Sequence, residues 1–180
     1  MSVTKVSSAM QDLTDDYAFT GTVTGTNGKV LQVVSSTKTS AFTSSSSSYV
    51  DITGATASIT PSSSSNHVLV LVQGGMSNDT DGSDSHVQLL RDSTVIGSGD
   101  SGGSSQQSFM SCQTSPSSAG NRKVYAVVGT WKDSPSSSSS VTYKLQIKSG
   151  GGTATWNRSG VQGAAYGNTA SSIVLIEIAA

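Results

Sequence analysis

Two short segments decide the fold, because they are apolar at consecutive positions: Val68-Leu69-Val70-Leu71-Val72 and Ile173-Val174-Leu175-Ile176-Glu177-Ile178. A continuous apolar run of strand length indicates a β-strand that is buried on both faces. In a two-layer sandwich only one face of each strand meets the core, so something else must cover the other face. We expect a second copy of the chain to cover it; the alternative is the N-terminal segment or a long loop.

Strand-like segments continue on either side of these two, separated by clusters of Ser, Gly, Pro, Asn and Asp. Segment 141–148 alternates, with Tyr143, Leu145 and Ile147 on one face and polar residues on the other, which is typical of a strand with one wet face. This spacing predicts an all-β antiparallel sandwich. The predicted strands are 29–35, 49–53, 56–60, 67–73, 86–91, 94–97, 108–113, 123–131, 141–148, 153–157 and 172–178.

The composition excludes several classes of partner. Charged residues are 12% of the 180 residues, and Ser and Thr together are about a third, which favours strands and loops over helix. Ten Lys and Arg against eleven Asp and Glu, with no basic run, argue against nucleic acid and an anionic membrane as partners. The sequence lacks a membrane-spanning apolar stretch and the pattern of a signal peptide, so we expect synthesis in the cytoplasm. The single Cys112 excludes an intrachain disulfide.

Residues 1–27 differ from the rest, and we expect them to form an N-terminal arm attached to a sandwich domain at residues 28–180. Met10, Leu13 and Tyr17 are spaced as on one face of a short helix, and Phe19 follows them. A helix this short is marginal in water, so the arm needs a partner surface to be ordered. These four side chains are therefore the candidate anchoring residues.

An ordered set of short motifs runs through residues 28–180: GKVLQVV (28–34), YVDITG (49–54), SITPS (58–62), LRDSTVIG (90–97), WKDSP (131–135), VTYK (141–144), WNRS (156–159) and SIVLIEIA (172–179). Together they resemble the jelly-roll head domains of tailed-bacteriophage virion appendages. Those domains are similar in architecture to the trimeric C1q/TNF-like fold. The resemblance covers the predicted sandwich and leaves out the arm.

The resemblance implies a non-enzymatic, homotrimeric structural protein of a virion: a short spike, head fibre, capsid decoration (cement) protein or tail fibre. It implies no catalytic residue, cofactor or metal. The implied partners are further copies of the chain, capsid or tail proteins held by residues 1–27, and a host surface glycan. Central strands of such trimers pack on the core and on the three-fold axis, so the expected subunit interface comprises Val68, Val70, Val72, Val174, Ile176 and Ile178.

Three sequence patterns suggest chemistry, and each is weak. Residues 99–103 read GDSGG, as around the nucleophile of chymotrypsin-like proteases, but neither His67 nor His86 lies in that family's sequence context, so Ser101 is expected in a plain Gly-rich loop. The same two His residues lack Cys or Glu partners at zinc-ligand spacing. Residues 77–84 are acidic but miss two ligand positions of an EF-hand. Another cation site remains an alternative to a solvated hairpin loop there, with candidate ligands Asn78, Asp79, Asp81 and Asp84.

Aromatic side chains on loops often mark binding surfaces. Trp156 and Tyr166 lie in the Gly-rich segment 150–168 and are the candidates for glycan contact. They support an alternative function from another class, a standalone carbohydrate-binding β-sandwich that is monomeric and needs no arm.

Overall fold

The computed structural model describes residues 28–100, 102–116 and 119–180, and these residues form eleven β-strands and one 3₁₀ turn, Gly120–Arg122. The all-β expectation is confirmed. The strands are β1 (Val30–Lys38), β2 (Phe42–Ser44), β3 (Val50–Ile59), β4 (His67–Asn78), β5 (Asp84–Arg91), β6 (Thr94–Ile96), β7 (Met110–Gln113), β8 (Tyr125–Asp133), β9 (Val141–Ser149), β10 (Ala154–Trp156) and β11 (Ser171–Ile178).

The strands pair into two antiparallel sheets that pack face to face. In sheet 1 the order is β1, β11, β4 and β8, with β10 pairing the far end of β4 and β2 pairing β10. In sheet 2 the order is β3, β9 and β5, and both β6 and β7 pair the free edge of β5. Apart from the hairpin of β5 and β6, neighbours in each sheet are distant in sequence, because the chain crosses between the sheets repeatedly. This order of strands is that of a jelly roll.

The predicted strands are all present, with two differences. Segments 49–53 and 56–60 are one strand, β3, in which Gly54 has φ +82° and the register to β9 shifts between Asp51 and Thr56. Strand β2 was not predicted, since its three residues lie within a Ser/Thr-rich stretch. The expected alternation of β9 is confirmed: Tyr143, Leu145 and Ile147 are buried.

The core lies between the inner faces of the two sheets. Its largest fully buried apolar side chains come from both sheets, so both contribute to the same core: Trp156, Tyr143, Ile59, Met76, Leu89, Leu145, Ile147, Leu175, Val68, Val70 and Val72. Gly74 leaves room for the indole of Trp156, because a Cβ at that position would collide with the ring.

A buried ionic cluster joins the two sheets. Asp133, at the end of β8, is 6% exposed. Both of its carboxylate oxygens accept from Nη1 of Arg91 on β5 at 3.0 Å, and Oδ2 also accepts from the hydroxyl of Tyr143 on β9 at 2.7 Å. Burial, and then the hydrogen bond to Asp133, raise the pKa of Tyr143, so the phenol stays protonated and donates. The cluster therefore fixes sheet 1 against sheet 2.

A second buried carboxylate fixes the start of β1 and the loop before β4. Glu177 on β11 is 1% exposed, and it accepts from Nε2 of Gln32 at 2.7 Å, from Nδ2 of Asn66 at 2.6 Å, and from the backbone N and the hydroxyl of Ser62 at 2.7 and 2.8 Å. Burial alone would raise the pKa of Glu177. These hydrogen bonds outweigh burial and lower the pKa from 4.5 to about 2.

Acidification is expected to weaken the fold through Glu177. Its pKa is lower in the folded than in the unfolded chain, so its stabilising contribution is complete above about pH 4.5 and is lost as the pH falls towards 2. The shift corresponds to about 3 kcal/mol. Urea unfolding between pH 7 and pH 3 should show the wild type losing stability more steeply than Glu177→Gln. Equal pH slopes for the two proteins would contradict the assignment.

Candidate functional site

The outer face of sheet 1 carries apolar side chains from four strands, with polar ones such as Ser35, Thr130, Ser172 and Gln73 among them. Residues directly opposite each other in paired strands share a face, and the register places Val33, Ile176 and Leu69 in one outward row across β1, β11 and β4. The neighbouring rows add Val174 and Leu71 on one side and Val30 and Ile178 on the other, next to polar residues. We call the outward apolar side chains the apolar strip: Val30, Val33, Leu69, Leu71, Val128, Val174, Ile176 and Ile178.

The apolar strip is accessible in the single chain. Val33 and Val128 are 58% and 75% exposed, and the residues of the strip on β4 and β11 are half-buried. A shallow cavity of about 350 Å³ lies on the strip between β8 and β11, with Leu71, Val128 and Val174 in its lining. Large exposed apolar patches are rare on monomeric proteins and mark contact surfaces.

Half of the expected interface needs correction. Val68, Val70 and Val72 point into the sandwich and are at most 1% exposed, so their assignment to a subunit interface is wrong. The physical reason is that side chains alternate between the two faces of a strand. In β4 the even-numbered valines face the core, and Leu69 and Leu71 face outward. Val174, Ile176 and Ile178 face outward as an interface requires, and their contact with another chain remains a prediction.

The outer face of sheet 2 differs in chemistry. Its outward-facing polar side chains form a hydrogen-bonded ladder: Gln88 Nε2 donates to Gln146 Oε1 at 2.5 Å, and Gln146 Nε2 and Lys144 Nζ donate to the carboxylate of Asp51 at 2.6 and 2.9 Å. These polar groups suit contact with water. The two outer faces of the sandwich are therefore unequal, and only that of sheet 1 has the character of a protein contact surface.

The two ends of the sandwich are distinguishable by where residues 1–27 join. The amide of Gly28 donates to the carbonyl of Ala179, and the amide of Ala179 donates to the carbonyl of Lys29. The chain therefore enters beside the end of β11. We call this the proximal end. The distal end, at the opposite tips of the strands, carries the connections 79–83, 119–124 and 150–153.

The acidic segment 77–84 serves to tie the distal loops together. Oδ1 of Asp79 accepts from the backbone N of Thr153 at 2.7 Å, and Oδ1 of Asp81 accepts from the backbone N of Asn121 at 2.8 Å. Burial would raise the pKa of Asp79, but hydrogen bonds from Thr153 and Thr80 lower it. In the described part of the chain, no three His, Cys, Asp or Glu side chains are grouped as a metal ion requires.

Two further expectations for this region need comment. Residues 79–83 connect β4 of sheet 1 to β5 of sheet 2, so they form a crossover between sheets, and the expected hairpin loop is wrong. Asn78 is fully buried and its Nδ2 donates to the hydroxyl of Ser149, which is a structural role. His67 lies at the proximal end, where Nδ1 is 2.9 Å from the hydroxyl of Ser134.

The expected glycan contact by Trp156 is wrong. The side chain is fully buried in the core, and its Nε1 donates to the hydroxyl of Ser171 at 2.9 Å. Tyr166 differs, because its half-buried ring lines a cavity of about 240 Å³ together with Gln162 and Asn168, and the guanidinium of Arg122 lies 6.0 Å from the ring centroid. Contact between Tyr166 and a glycan remains a prediction.

Some expected site residues lie outside the described residues: Met10, Leu13, Tyr17 and Phe19 of the arm, and Ser101. Within the described ranges, no helix has the length and apolar character needed to cross a membrane. No protein-family model matches the sequence, and no curated protein matches it. The fold and the contrast between its two outer faces are therefore the basis for proposing a function.

Proposed function

We propose that this chain is a non-enzymatic structural protein of a tailed-bacteriophage virion, a homotrimeric surface appendage anchored by residues 1–27. The observation that carries the proposal is the apolar strip, which lies on one outer face of the sandwich while the other is polar. The motif set of residues 28–180 supplies the virion context and the number of copies.

A second copy is the occupant that the apolar strip favours. The strip itself is uncharged, and Lys132 lies beside it, opposite Leu69. The strip therefore offers little to a charged partner. A ring of three needs two different patches on each chain, because every copy contacts one neighbour with each patch. The strip runs across four strands from β1 to β8, about 14 Å at the usual strand spacing. One half of the strip can therefore contact one neighbouring copy and the other half the second copy.

The proposal assigns opposite roles to the two ends of the sandwich. The proximal end, where residues 1–27 join beside Ala179, faces the virion. The distal loops, held together through Asp79 and Asp81, then face outward. Any contact with a host surface is made by the distal end, and three linked copies raise the effective affinity of weak contacts.

Incorporation into particles tests this function. A tagged copy supplied in the host during infection by a phage that encodes this chain should co-purify with intact particles and label their surface in electron microscopy. A tagged variant lacking residues 1–24 should stay folded, with an unchanged circular dichroism spectrum, and should be absent from the particles. Particles free of the full-length protein would contradict the virion role, and loading of the truncated variant would remove the role of the arm.

A further inference from the structure

A polar cavity of about 330 Å³ lies on the outer face of sheet 2, at its distal end. Asp84 and His86 of β5 and Lys148 of β9 line it, together with Ser47 and Gln106 from adjoining loops. Because the apolar strip is on the opposite face of the sandwich, a neighbouring copy bound there would leave this cavity open. Its volume is at the small end of the range for small-molecule sites.

The strands hold the polar groups of this cavity in fixed positions. His86 and Lys148 are directly opposite each other in the register of β5 and β9, and Asp84 precedes His86 by two residues on the same face. The ammonium of Lys148 donates to Oε1 of Gln106 and lies 4.8 Å from the ring centroid of Tyr49. Side chains carried on paired strands are held more accurately than side chains on loops.

The cavity offers a ligand both a hydrogen-bond acceptor and a hydrogen-bond donor. The carboxylate of Asp84 can only accept hydrogen bonds, whereas the ammonium of Lys148 can only donate them. Burial lowers the pKa of His86; the charge of Asp84 opposes it, and the weaker effect of Lys148 adds to it, so the imidazole is neutral at pH 7. Nδ1 of His86 is itself buried and has no hydrogen-bond partner among the described residues, so it is not presented to a ligand in the cavity, and the polar contacts are those of Asp84 and Lys148.

The balance of charge distinguishes between ligand classes. One carboxylate and one ammonium cancel, and an anion such as phosphate would meet the repulsion of Asp84. A ligand with several neutral hydroxyls can donate to Asp84 and accept from Lys148 at the same time. We propose that the cavity between Asp84, His86 and Lys148 binds one neutral sugar residue through adjacent hydroxyls. This binding site goes beyond the structural role proposed above and does not depend on it.

Saturation-transfer NMR and calorimetry on the full-length protein test the proposal. The probes are the methyl glycosides of glucose, galactose, mannose and N-acetylglucosamine, with glucuronate and inorganic phosphate as anionic probes. We expect at least one neutral glycoside to bind, and we expect Asp84→Asn to weaken that binding about tenfold or more, a loss of about 1.4 kcal/mol. The variant should fold, because the contacts from Asn78 and Gly150 are made to the main-chain carbonyl of residue 84.

Lys144→Gln is the matched control, since Lys144 lies on the same face of β9 and pairs with Asp51 outside the cavity. It should leave the affinity for the glycoside unchanged. Three results would overturn the proposal: no neutral glycoside binds, phosphate or glucuronate binds more tightly than every neutral glycoside, or Asp84→Asn binds as the wild type does. None of these results bears on assembly, which is measured by solution mass.

Discussion

Replacing Asp133 by Ala is expected to destabilise the folded chain by about 2–3 kcal/mol, because it removes a charged hydrogen-bond acceptor and leaves the Tyr143 hydroxyl without its partner. Asp133 is 6% exposed, and its carboxylate accepts from Arg91 and Tyr143, which belong to the opposite sheet. Without it, the phenol O–H of Tyr143 loses its acceptor between the sheets, while the guanidinium of Arg91, whose side chain is 24% exposed, keeps a 3.3 Å hydrogen bond to the carbonyl of Ser134. A loss of this size is a large fraction of the stability of an ordinary domain.

Urea unfolding followed by tryptophan fluorescence measures this loss, at one fixed chain concentration because assembly contributes to apparent stability. Asp51→Ala is the matched control, because it removes the ion pair between Asp51 and Lys144 at the surface. The side chain of Asp51 is 55% exposed, so this substitution should lower the free energy of unfolding by less than about 1 kcal/mol. Similar losses for Asp133→Ala and Asp51→Ala would mean that the buried cluster does not fix the sheets together.

The strands of this fold could be predicted because their signal is local. Turn residues separate the segments, and a pattern such as that of β9 specifies which side chains are inside. The pairing could not be predicted in the same way. Strands β1 and β11, or β4 and β8, meet only after long connections, and their register depends on packing that a single sequence does not display.

The doubly apolar segments show where local pattern stops being informative. In Val68–Val72 every side chain is apolar, so alternation cannot distinguish the inward set from the outward set. The structure buries Val68, Val70 and Val72 inside one chain and leaves Leu69 and Leu71 on the outside. Which residues of β4 face outward depends only on the alternation of the strand, and a second copy as the cover of that outward face remains a prediction.

Long-range partners explain the other differences. Trp156 lies in the Gly-rich segment 150–168, yet its ring is buried because Gly74, 82 residues earlier, leaves space for it. Glu177 interrupts an apolar segment, and only the donors from β1 and from the loop before β4 account for a buried carboxylate there. The distal cavity likewise joins His86 and Lys148, which are far apart in the sequence and opposite each other in the sheet.

Ile176→Asp is expected to convert the assembled protein into folded single chains. Ile176 lies in the middle of the apolar strip, between Val33 and Leu69, and it is half-buried in the single chain. An Asp at this outward position keeps contact with water in a single chain, so the sandwich folds. In an assembly covering the strip, each copy would bury an unpaired carboxylate at a cost of several kcal/mol.

Light scattering on a size-exclusion column decides the matter. The wild type should have a mass near three times the 18.2 kDa of one chain, and Ile176→Asp should have the mass of one chain with an unchanged circular dichroism spectrum.

Thr56→Asp is the matched control, because Thr56 is an exposed strand position on the outer face of sheet 2, opposite Lys144. It introduces the same charge and should leave the mass unchanged. A wild type that runs as a single chain at tens of micromolar, or an Ile176→Asp protein that keeps the mass of the wild type, would show that copies of this chain do not cover the strip.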